Sequence, residues 1–416
     1  MEKKRFDWQV IGLYIAIVLF GWVNIYAAVF DESHAAVLDF SVQHGKQLLW
    51  MGASALIALC LLLVEPKVLA DTAYLVYAAA LALLVVTLFI GQVTNGGQSW
   101  IDFGAFKLQP SEFAKCATAL ALAKHLSALD IDLRQTRTRL IAFLIVLLPA
   151  ALVLLQHDTG SALVFAGLAL PLFREGLSGK VLVYAVAAAI LFVLALLVNK
   201  YLLIGLAAAV ALLYLFAWLN KRTRSDYWRA TAHFAACAAF VLSVGFVTEH
   251  VLEEHQRTRI QVLLGQTEDL RGVGYNVHQS KIAIGSGGFF GKGFLGGAIT
   301  KADFVPEQET DFIFCTVGEE WGFLGSTLLV VAYVWLLTRL VTLAERQRST
   351  FARVYGYGVA SILFLHFLIN IGMVLGLLPV IGIPLPFFSY GGSSLMAFTI
   401  LLFIFIRQDA DRNALL

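Results

Sequence analysis

Runs of about twenty apolar residues recur along this chain of 416 residues, and they constrain its fold more than any other feature. An α-helix of about 20 residues crosses the roughly 30 Å of a bilayer's hydrocarbon, whereas a membrane β-strand reads as about ten alternating residues. The chain is 59% hydrophobic and 14% charged, while soluble domains carry about 45–50% and about 25%. The sequence therefore predicts an all-α polytopic membrane protein and excludes a water-soluble enzyme.

About twelve of these runs are long enough for membrane-spanning helices. Because the loops between most of them are short, we expect one integral-membrane domain over residues 1–416. The predicted spans are 8–30, 47–65, 70–92, 112–129, 140–156, 160–173, 180–198, 201–219, 229–252, 312–338, 354–376 and 391–407.

Basic residues concentrate in alternate loops, which is the positive-inside pattern of membrane proteins. Clusters at 134–139 and 221–229 fall on one side, whereas the short turns of the other side carry little more than Lys46, Lys107 and Lys200. This bias places both termini in the cytoplasm. The net charge of +2 gives no indication of a nucleic-acid partner.

Two segments on the outer side are too long and too polar to be simple turns. One covers residues 93–111, and the other runs from about 253 to Asp311 and is rich in glycine and charge. Loops of such length without secondary structure are usually functional. The glycine-rich stretch 285–293 within the second segment suits either a closely packed turn or contact with a diphosphate through backbone N–H groups.

Charged residues at membrane depth are costly and are candidates for function. Glu112 and Lys115 lie one helical turn apart, so they either form a structural ion pair or contact a ligand. Asp158 follows the fifth span, where its side chain suits a helix N-cap. Of Glu319 and Glu320, one is expected to face the protein interior and the other the interface.

A proline-rich region, 379–394, precedes the last span and contains three prolines and a Tyr-Gly-Gly turn. Non-helical backbone at this depth must be buried in protein or line a cavity, because lipid offers no hydrogen bonds. We therefore expect this region to form a cavity wall.

Four of these stretches together resemble the SEDS family of cell-wall proteins, named for shape, elongation, division and sporulation. The resemblance covers most of the chain, and within it QSKIAIGSGG favours the elongation branch, because members of the division branch usually lack lysine at the place of Lys281. The matching stretches are QPSEFAK at 109–115, QSKIAIGSGG at 279–288, FVPEQETDFIF at 304–314 and the run 384–394.

The resemblance implies a peptidoglycan glycosyltransferase that polymerises lipid II on the outer face of the bacterial plasma membrane during elongation and rod-shape maintenance. It implies Asp311 as the catalytic residue and a central cavity lined by Glu112, Lys115 and Asp158. It also implies a class B penicillin-binding protein and the membrane proteins of the elongation complex as partners. The further substrate-binding candidates are Arg259, Lys281 and Glu307.

The chain departs from the family pattern in two ways. His157 stands where the family usually has proline. The family fold has ten membrane helices, so the two additional spans are interpreted as an insertion at about 180–228. Two helices preserve the parity of the spans, and the long segment with Asp311 therefore stays outside.

Joining two lipid-linked sugars requires a base for the acceptor hydroxyl, and a positioned carboxylate such as Asp311 is suited to this role. An N-cap role for Asp311 is the structural alternative, because Thr310 and Asp311 precede a helix. A leaving diphosphate requires positive charge, from a divalent cation (Mg²⁺ or Mn²⁺) or from side chains; no metal site within the protein is predicted. The candidate cations are Lys115, Arg257, Arg259, Lys281, Lys292 and Lys301.

Two alternatives to an elongation polymerase remain open. A transporter that flips lipid II would also have many helices, a proline-broken region and intramembrane charges. Against it, the polar residues concentrate in the outer segments and not at the midplane of the bilayer. A division-type polymerase would share the chemistry and differ in its partner.

Overall fold

The structure is a computed structural model that describes residues 6–31, 36–94, 97–104, 106–128, 131–216, 224–250, 273–302 and 304–412. The chain divides into two compact units, one of Met1–Leu177 with Tyr275–Leu416 and the other of Ser178–Gly274. The predicted class, an all-α polytopic membrane protein, is confirmed. Nine of the described helices are long and apolar enough to cross a membrane, and two shorter apolar runs, Thr159–Arg174 and Lys200–Phe216, accompany them. The count of twelve spans stays a prediction.

The first unit contains thirteen of the helices among the described residues. Each predicted span of this unit coincides with a helix or with a helical run, and the sixth is divided by a 3₁₀ turn at Phe165–Leu168. The helices are α1 (Trp8–Ala28), α2 (Gln43–Leu63), α3 (Pro66–Asp71), α4 (Ala73–Ile90), α5 (Pro110–Leu126), α6 (Thr136–Leu155), α7 (Thr159–Val164), α8 (Ala169–Arg174), α12 (Val273–Ser286, in this unit from Tyr275), α13 (Ala298–Lys301), α14 (Ile313–Glu345), α15 (Thr350–Val374) and α16 (Gly392–Ala410).

The second unit contains α9 (Gly179–Leu197), α10 (Lys200–Phe216) and α11 (Arg224–His250). Its helices carry large exposed apolar side chains, and a hydrogen bond of 3.1 Å joins the Tyr184 hydroxyl to His233 Nε2. The interpretation of 180–228 as an insertion, like the single domain over 1–416, stays a prediction.

Helix α5 is the buried centre of the first unit, because nearly all of its residues are inaccessible to solvent. Alanine occupies every second position from Ala117 to Ala123, and small side chains let neighbouring helices approach closely in membrane proteins. Helices α4 and α15 pack on it. This packing places Glu112 and Lys115, on the first turns of α5, inside the protein.

The predicted outer segment 93–111 is more ordered than a polar loop. It folds with its neighbours into an antiparallel sheet of β1 (Gln92–Thr94), β2 (Gly97–Asp102) and β3 (Lys107–Leu108), in that order, with Ile101 opposite Leu108. The N–H of Gln98 donates to the carbonyl of Gln156, at the end of α6. The sheet therefore connects the start of α5 to the end of α6.

The segment from 253 to Asp311 was predicted to lack secondary structure, and this prediction was wrong for the second half of the segment. Helix α12 occupies Val273–Ser286, and the short α13 follows it. Residues Ser280, Ala283 and Gly287 are buried at spacings of three and four, which is the period of one helix face. The other face is polar, so a search for long apolar runs does not detect α12. Residues 253–272 lie outside the described residues.

Candidate active site

A break in α14 organises one side of the site. Gly322 has φ 65° and ψ −160°, which interrupts the helix, and only glycine adopts such a conformation readily. The glycine-rich segment, residues 285–297, bonds to the backbone groups that the break releases. Lys292 N and Gly293 N donate to the carbonyls of Glu319 and Glu320 (3.0 and 2.9 Å), while Phe323 N and Leu324 N donate to Gly288 and Phe289 (2.9 and 3.1 Å).

The glycines of this segment are needed for close approach. A β-carbon at Gly287 or Gly291 would collide with the main chain of α14, at Gly318 and Glu320 respectively. The segment is therefore a closely packed turn, the first of the two sequence interpretations. Its N–H groups at Lys292 and Gly293 already have partners in the protein, which leaves them unavailable to a diphosphate.

Both glutamates of α14 are buried, so the expectation that one reaches the interface was wrong. Glu319 accepts hydrogen bonds from Lys292 Nζ (2.7 Å), Ile299 N (3.1 Å) and Thr300 N (2.9 Å), which attaches α13 and the glycine-rich segment to α14. The side-chain oxygens of Glu320 have no hydrogen-bond partner among the described residues. A break nine residues into the helix lets the segment fold over these carboxylates.

The proline-rich region is mostly buried, and its backbone is bonded from α15 and α14; its role as a cavity wall stays a prediction. His366 Nδ1 donates to the carbonyl of Pro384 (3.2 Å), and Asn370 Nδ2 donates to that of Ile383 (2.8 Å). The Tyr333 hydroxyl donates to the carbonyl of Pro386. These bonds hold residues 375–391, hereafter the proline segment, in a non-helical conformation.

The ion pair predicted from sequence is present and extends to a third residue. Lys115 Nζ lies 2.7 Å from Glu112 Oε1 and 2.7 Å from His366 Nε2, and all three side chains are buried. The second carboxylate oxygen of Glu112 has no partner among the described residues. His366 therefore connects the pair on α5 to Pro384 of the proline segment.

Asp158 is a helix cap, as its position suggested. Its Oδ1 accepts the N–H of Ser161 at 2.9 Å, at the start of α7, and its Oδ2 accepts from Gln109 Nε2 at 3.0 Å. Within the first turn of α7, a β-carbon on Gly160 would lie 2.5 Å from the carbonyl oxygen of Ile381. The start of α7 thus packs directly against the proline segment.

Asp311 is partly exposed beside the same segment. The N-cap position of α14 is Phe312 and not Asp311, which argues against the capping interpretation. Asn370 Nδ2 donates to the main-chain oxygen of Asp311 at 2.8 Å. A β-carbon on Gly382 would lie 3.1 Å from Asp311 Oδ2, so the carboxylate faces a stretch of backbone that bears no side chain.

The remaining predicted site residues are Glu307, Lys281 and Arg259, and their positions relative to Asp311 differ. Glu307 has φ 57°, and its main-chain oxygen accepts from Phe312 N, so it forms the turn that leads to Asp311. Lys281 is exposed on α12, with its ammonium group against Gly376 at the beginning of the proline segment. Arg259 lies outside the described residues.

His366 and Asn370 are the residues that the sequence analysis missed. Both are completely buried on one face of α15, four residues apart. Polar side chains within an apolar span are candidates for function, so this signal was present in the sequence. The sequence does not reveal which residues they contact, because their partners are distant along the chain.

Among the described residues, no group of three or more His, Cys, Asp or Glu side chains is arranged to hold a metal ion. The site therefore consists of carboxylates, lysines and a histidine held around a non-helical segment. Fold and site together define a class of protein: a polytopic helical membrane protein with a polar site at one end of its larger unit.

The chain belongs to the FtsW/RodA/SpoVE family of cell cycle proteins, whose sequence profile matches residues 7–225 and 227–414. It is 35% identical to the peptidoglycan glycosyltransferase MrdB of Escherichia coli K12 over 333 residues, 80% of this chain and 76% of that one. It is 31% identical over 413 residues to the peptidoglycan glycosyltransferase RodA of Treponema pallidum, covering 94% of each. The resemblance to the SEDS family is confirmed.

Solved structures agree with this family. A chain from a peptidoglycan synthase complex, studied for its coordination of polymerization and crosslinking, superposes with a TM-score of 0.70 at 29% identity over 98% of both chains. RodA of Thermus thermophilus superposes with a TM-score of 0.63 at 26% identity, again over 98% of both. The likeness thus extends along almost the whole chain.

Proposed function

We propose that this chain is a peptidoglycan glycosyltransferase that polymerises lipid II on the outer face of the plasma membrane during cell elongation. The observation that carries the proposal is the placement of Asp311, whose partly exposed carboxylate lies beside the proline segment in a family with relatives of this activity. The RodA and MrdB relatives, together with Lys281 in the sequence, favour the elongation branch over the division branch.

The reaction joins an acceptor sugar hydroxyl to the anomeric carbon of a donor. In our proposal the carboxylate of Asp311 removes the hydroxyl proton as the new carbon–oxygen bond forms. The bond between the anomeric carbon and the diphosphate breaks, and a polyprenyl diphosphate leaves with the electron pair. Because its main chain is bonded to Asn370, Asp311 is oriented before the substrate binds.

The leaving diphosphate requires positive charge. Lys115 and Lys292 are already paired with Glu112 and Glu319. Lys281 and Lys301 are exposed and are therefore the described lysines that we propose for the diphosphate, with Arg259 as a further candidate outside the described residues. Glu112, Lys115, Asp158 and Glu307 complete the proposed substrate-binding set.

We also propose how a divalent cation would enter. Mg²⁺ usually keeps several waters and binds through one or two carboxylates together with substrate phosphates. Because the described residues contain no cluster that could hold a metal alone, Mg²⁺ or Mn²⁺ would arrive with the diphosphate. Polymerisation that persists in a chelator would exclude this part of the proposal.

The proposed partners are a class B penicillin-binding protein and further membrane proteins of the elongation complex. Support comes from the peptidoglycan synthase complex, whose chain superposes on this one along its length. We propose a multi-pass protein of the bacterial inner membrane with cytoplasmic termini, in accord with the charge bias of the loops. An impermeant thiol reagent should label a cysteine placed at Lys301 in intact cells and leave one at Arg222 unlabelled.

The deciding experiment compares purified wild type with Asp311→Asn. Asparagine keeps the size and lacks the basic carboxylate, so we expect polymerisation of lipid II to fall by roughly 10²–10⁴-fold with little change in Tm. The control is Asp102→Asn, an exposed aspartate of the sheet, which should polymerise normally. Near-normal glycan chains from a folded Asp311→Asn variant would remove Asp311 from the mechanism. A wild type that forms no glycan polymer but moves lipid II across vesicles would instead support the transporter.

A further inference from the structure

Asn370 lies near the C-terminal end of the membrane-spanning helix α15, which ends at Val374, and its side chain bonds to two separate segments. Its side chain is completely buried, and its amide nitrogen donates to two main-chain oxygens, those of Asp311 and Ile383, at 2.8 Å each. An asparagine amide has two N–H donors, so both are used. The two acceptors belong to segments that are more than seventy residues apart in the chain.

These two bonds join the two sides of the site. One acceptor is the main chain of Asp311, and the other is the residue after Gly382, whose α-carbon region faces Asp311 Oδ2. Gly382 has φ 66°, a backbone conformation that residues with a β-carbon rarely adopt. The amide of Asn370 therefore fixes the main chain of Asp311 relative to the stretch of backbone that its carboxylate faces.

The same helix face repeats this arrangement one turn earlier. His366 bonds to the carbonyl of Pro384 and to Lys115, and it lies four residues before Asn370 on α15. Helix α15 thus carries two buried polar side chains that bond to successive carbonyls of the proline segment. Of these two side chains, Asn370 is the one whose amide donates to the main chain of Asp311.

From this geometry we infer that Asn370 is a positioning residue for the reaction, which holds the main chain of Asp311 at a fixed place against the proline segment. The inference rests on the proposed function, because it requires Asp311 to be the base. Asn370 itself does not touch the reacting atoms. Its amide acts by keeping the carboxylate within reach of the acceptor hydroxyl.

The test is a double-variant cycle at Asn370 and Asp311. Asn370→Leu keeps a similar volume and removes both donors, so we expect kcat to fall about 10–10²-fold, the effect of misplacing a catalytic group by about 1 Å, with KM changed less than about threefold. In the Asp311→Asn background, Asn370→Leu should cause little further loss, because residues that act as a unit are not additive. A merely structural role would lower both backgrounds equally.

Asn24→Leu is the matched control. Asn24 is also completely buried, donates to the carbonyl of Phe20 and accepts from Trp321 Nε1, but it makes no bond to Asp311. It should lower Tm and leave kcat per folded molecule unchanged. A second variant, Gly382→Ala, places a methyl group toward Asp311 Oδ2 and should lower kcat without removing a hydrogen bond. Its control is Gly104→Ala, which has φ 79° and open space around it.

The outcomes separate the two proposals. If Asp311→Asn is inactive while Asn370→Leu keeps its kcat, the positioning role is wrong and the proposed function stands. If Asp311→Asn is active, the proposed base is wrong and the positioning role fails with it. Equal losses for Asn370→Leu in both backgrounds overturn the positioning role as well, since the loss would then not act through Asp311.

Discussion

The two ends of the larger unit use charged and polar residues in different ways. At the end opposite the site, hereafter the ion-pair end, carboxylates and guanidinium groups pair directly with each other. Several of these pairs are bidentate, a geometry that strengthens charge-assisted bonds. They are Arg339 with Asp7, Arg346 with Asp409, Arg353 with Glu175 and Arg174 with Glu345.

At the site end, single polar side chains hold backbone carbonyls instead, since His366, Asn370 and Tyr333 donate to carbonyls of the proline segment. Buried polar atoms without a partner among the described residues occur at both ends, for example Glu112 Oε2 at the site end and Gln347 Oε1 at the ion-pair end. The two ends therefore differ in what their polar groups bind: charged side chains at one end and main-chain carbonyls at the other.

From this contrast we expect the ion-pair end to contribute mainly to stability and the site end to carry the proposed chemistry. Variants at the ion-pair end should lower stability and leave kcat unchanged. Variants at the site end should lower activity beyond what their stability explains.

The largest expected effect comes from the pair of Glu112 and Lys115. Lys115→Met leaves a buried carboxylate without its cation, which costs about 3–5 kcal/mol, and it should also lower polymerisation by about 10²-fold. The double variant Glu112→Gln/Lys115→Met removes both charges and should regain stability while activity stays low. We would measure Tm in detergent and glycan chain length. Full activity in the double variant would show that the pair is only structural.

The second effect tests the ion-pair end. Asp409 is fully buried and accepts from Arg346 and from Gln347 Nε2, so Asp409→Ala should lower stability by about 3 kcal/mol with kcat per folded molecule unchanged. The control is Arg174→Gln, whose pair with Glu345 is about half exposed at both partners and should contribute less than about 1 kcal/mol. A loss of kcat in folded Asp409→Ala would contradict the expectation that the ion-pair end affects stability alone.

The smallest effect concerns pH. Burial of Asp7 raises the pKa of its carboxyl, but the bonds from Arg339 and Val10 N and the charges of Arg339 and Arg346 outweigh burial, so its pKa lies below the ordinary 3.8. The carboxylate therefore stabilises the folded state above that value, and this contribution is lost as pH falls through the lowered pKa.

Asp7→Asn keeps the N-cap of α1, since asparagine caps as well as aspartate, and should cost about 1–2 kcal/mol near neutral pH. The Tm difference from wild type should be constant between about pH 5 and 8 and shrink below about pH 4. The check is a series of melting curves across this range. A difference that grows in acid would contradict the assigned direction.

The sequence predicted those parts of the site whose partners are close along the chain. Glu112 and Lys115 are three residues apart on one helix, and Asp158 caps the helix that follows it, so local rules were sufficient. The nine long apolar helices among the described residues could also be predicted, because each is a long apolar run.

The contacts that assemble the site could not be predicted from local sequence patterns. Lys115 and His366 are 251 residues apart, and Asn370 lies 59 residues from Asp311. No periodicity within a helix reports such pairs. The bonds between the glycine-rich segment and the break at Gly322 were missed for the same reason, since a lone glycine in an apolar helix does not reveal what will pack against it.

The break at Gly322 also has a consequence for biogenesis. The glycine-rich segment leaves the ribosome some 35 residues before the part of helix α14 that bonds to its backbone, since the carbonyl of Gly288 accepts from Phe323 N. At about 5–20 residues per second this is an interval of about 2–7 s, during which its N–H and C=O groups require water. We therefore expect the segment to stay outside the hydrocarbon until α14 has inserted, so that its bonds to α14 form after the preceding helices are in place.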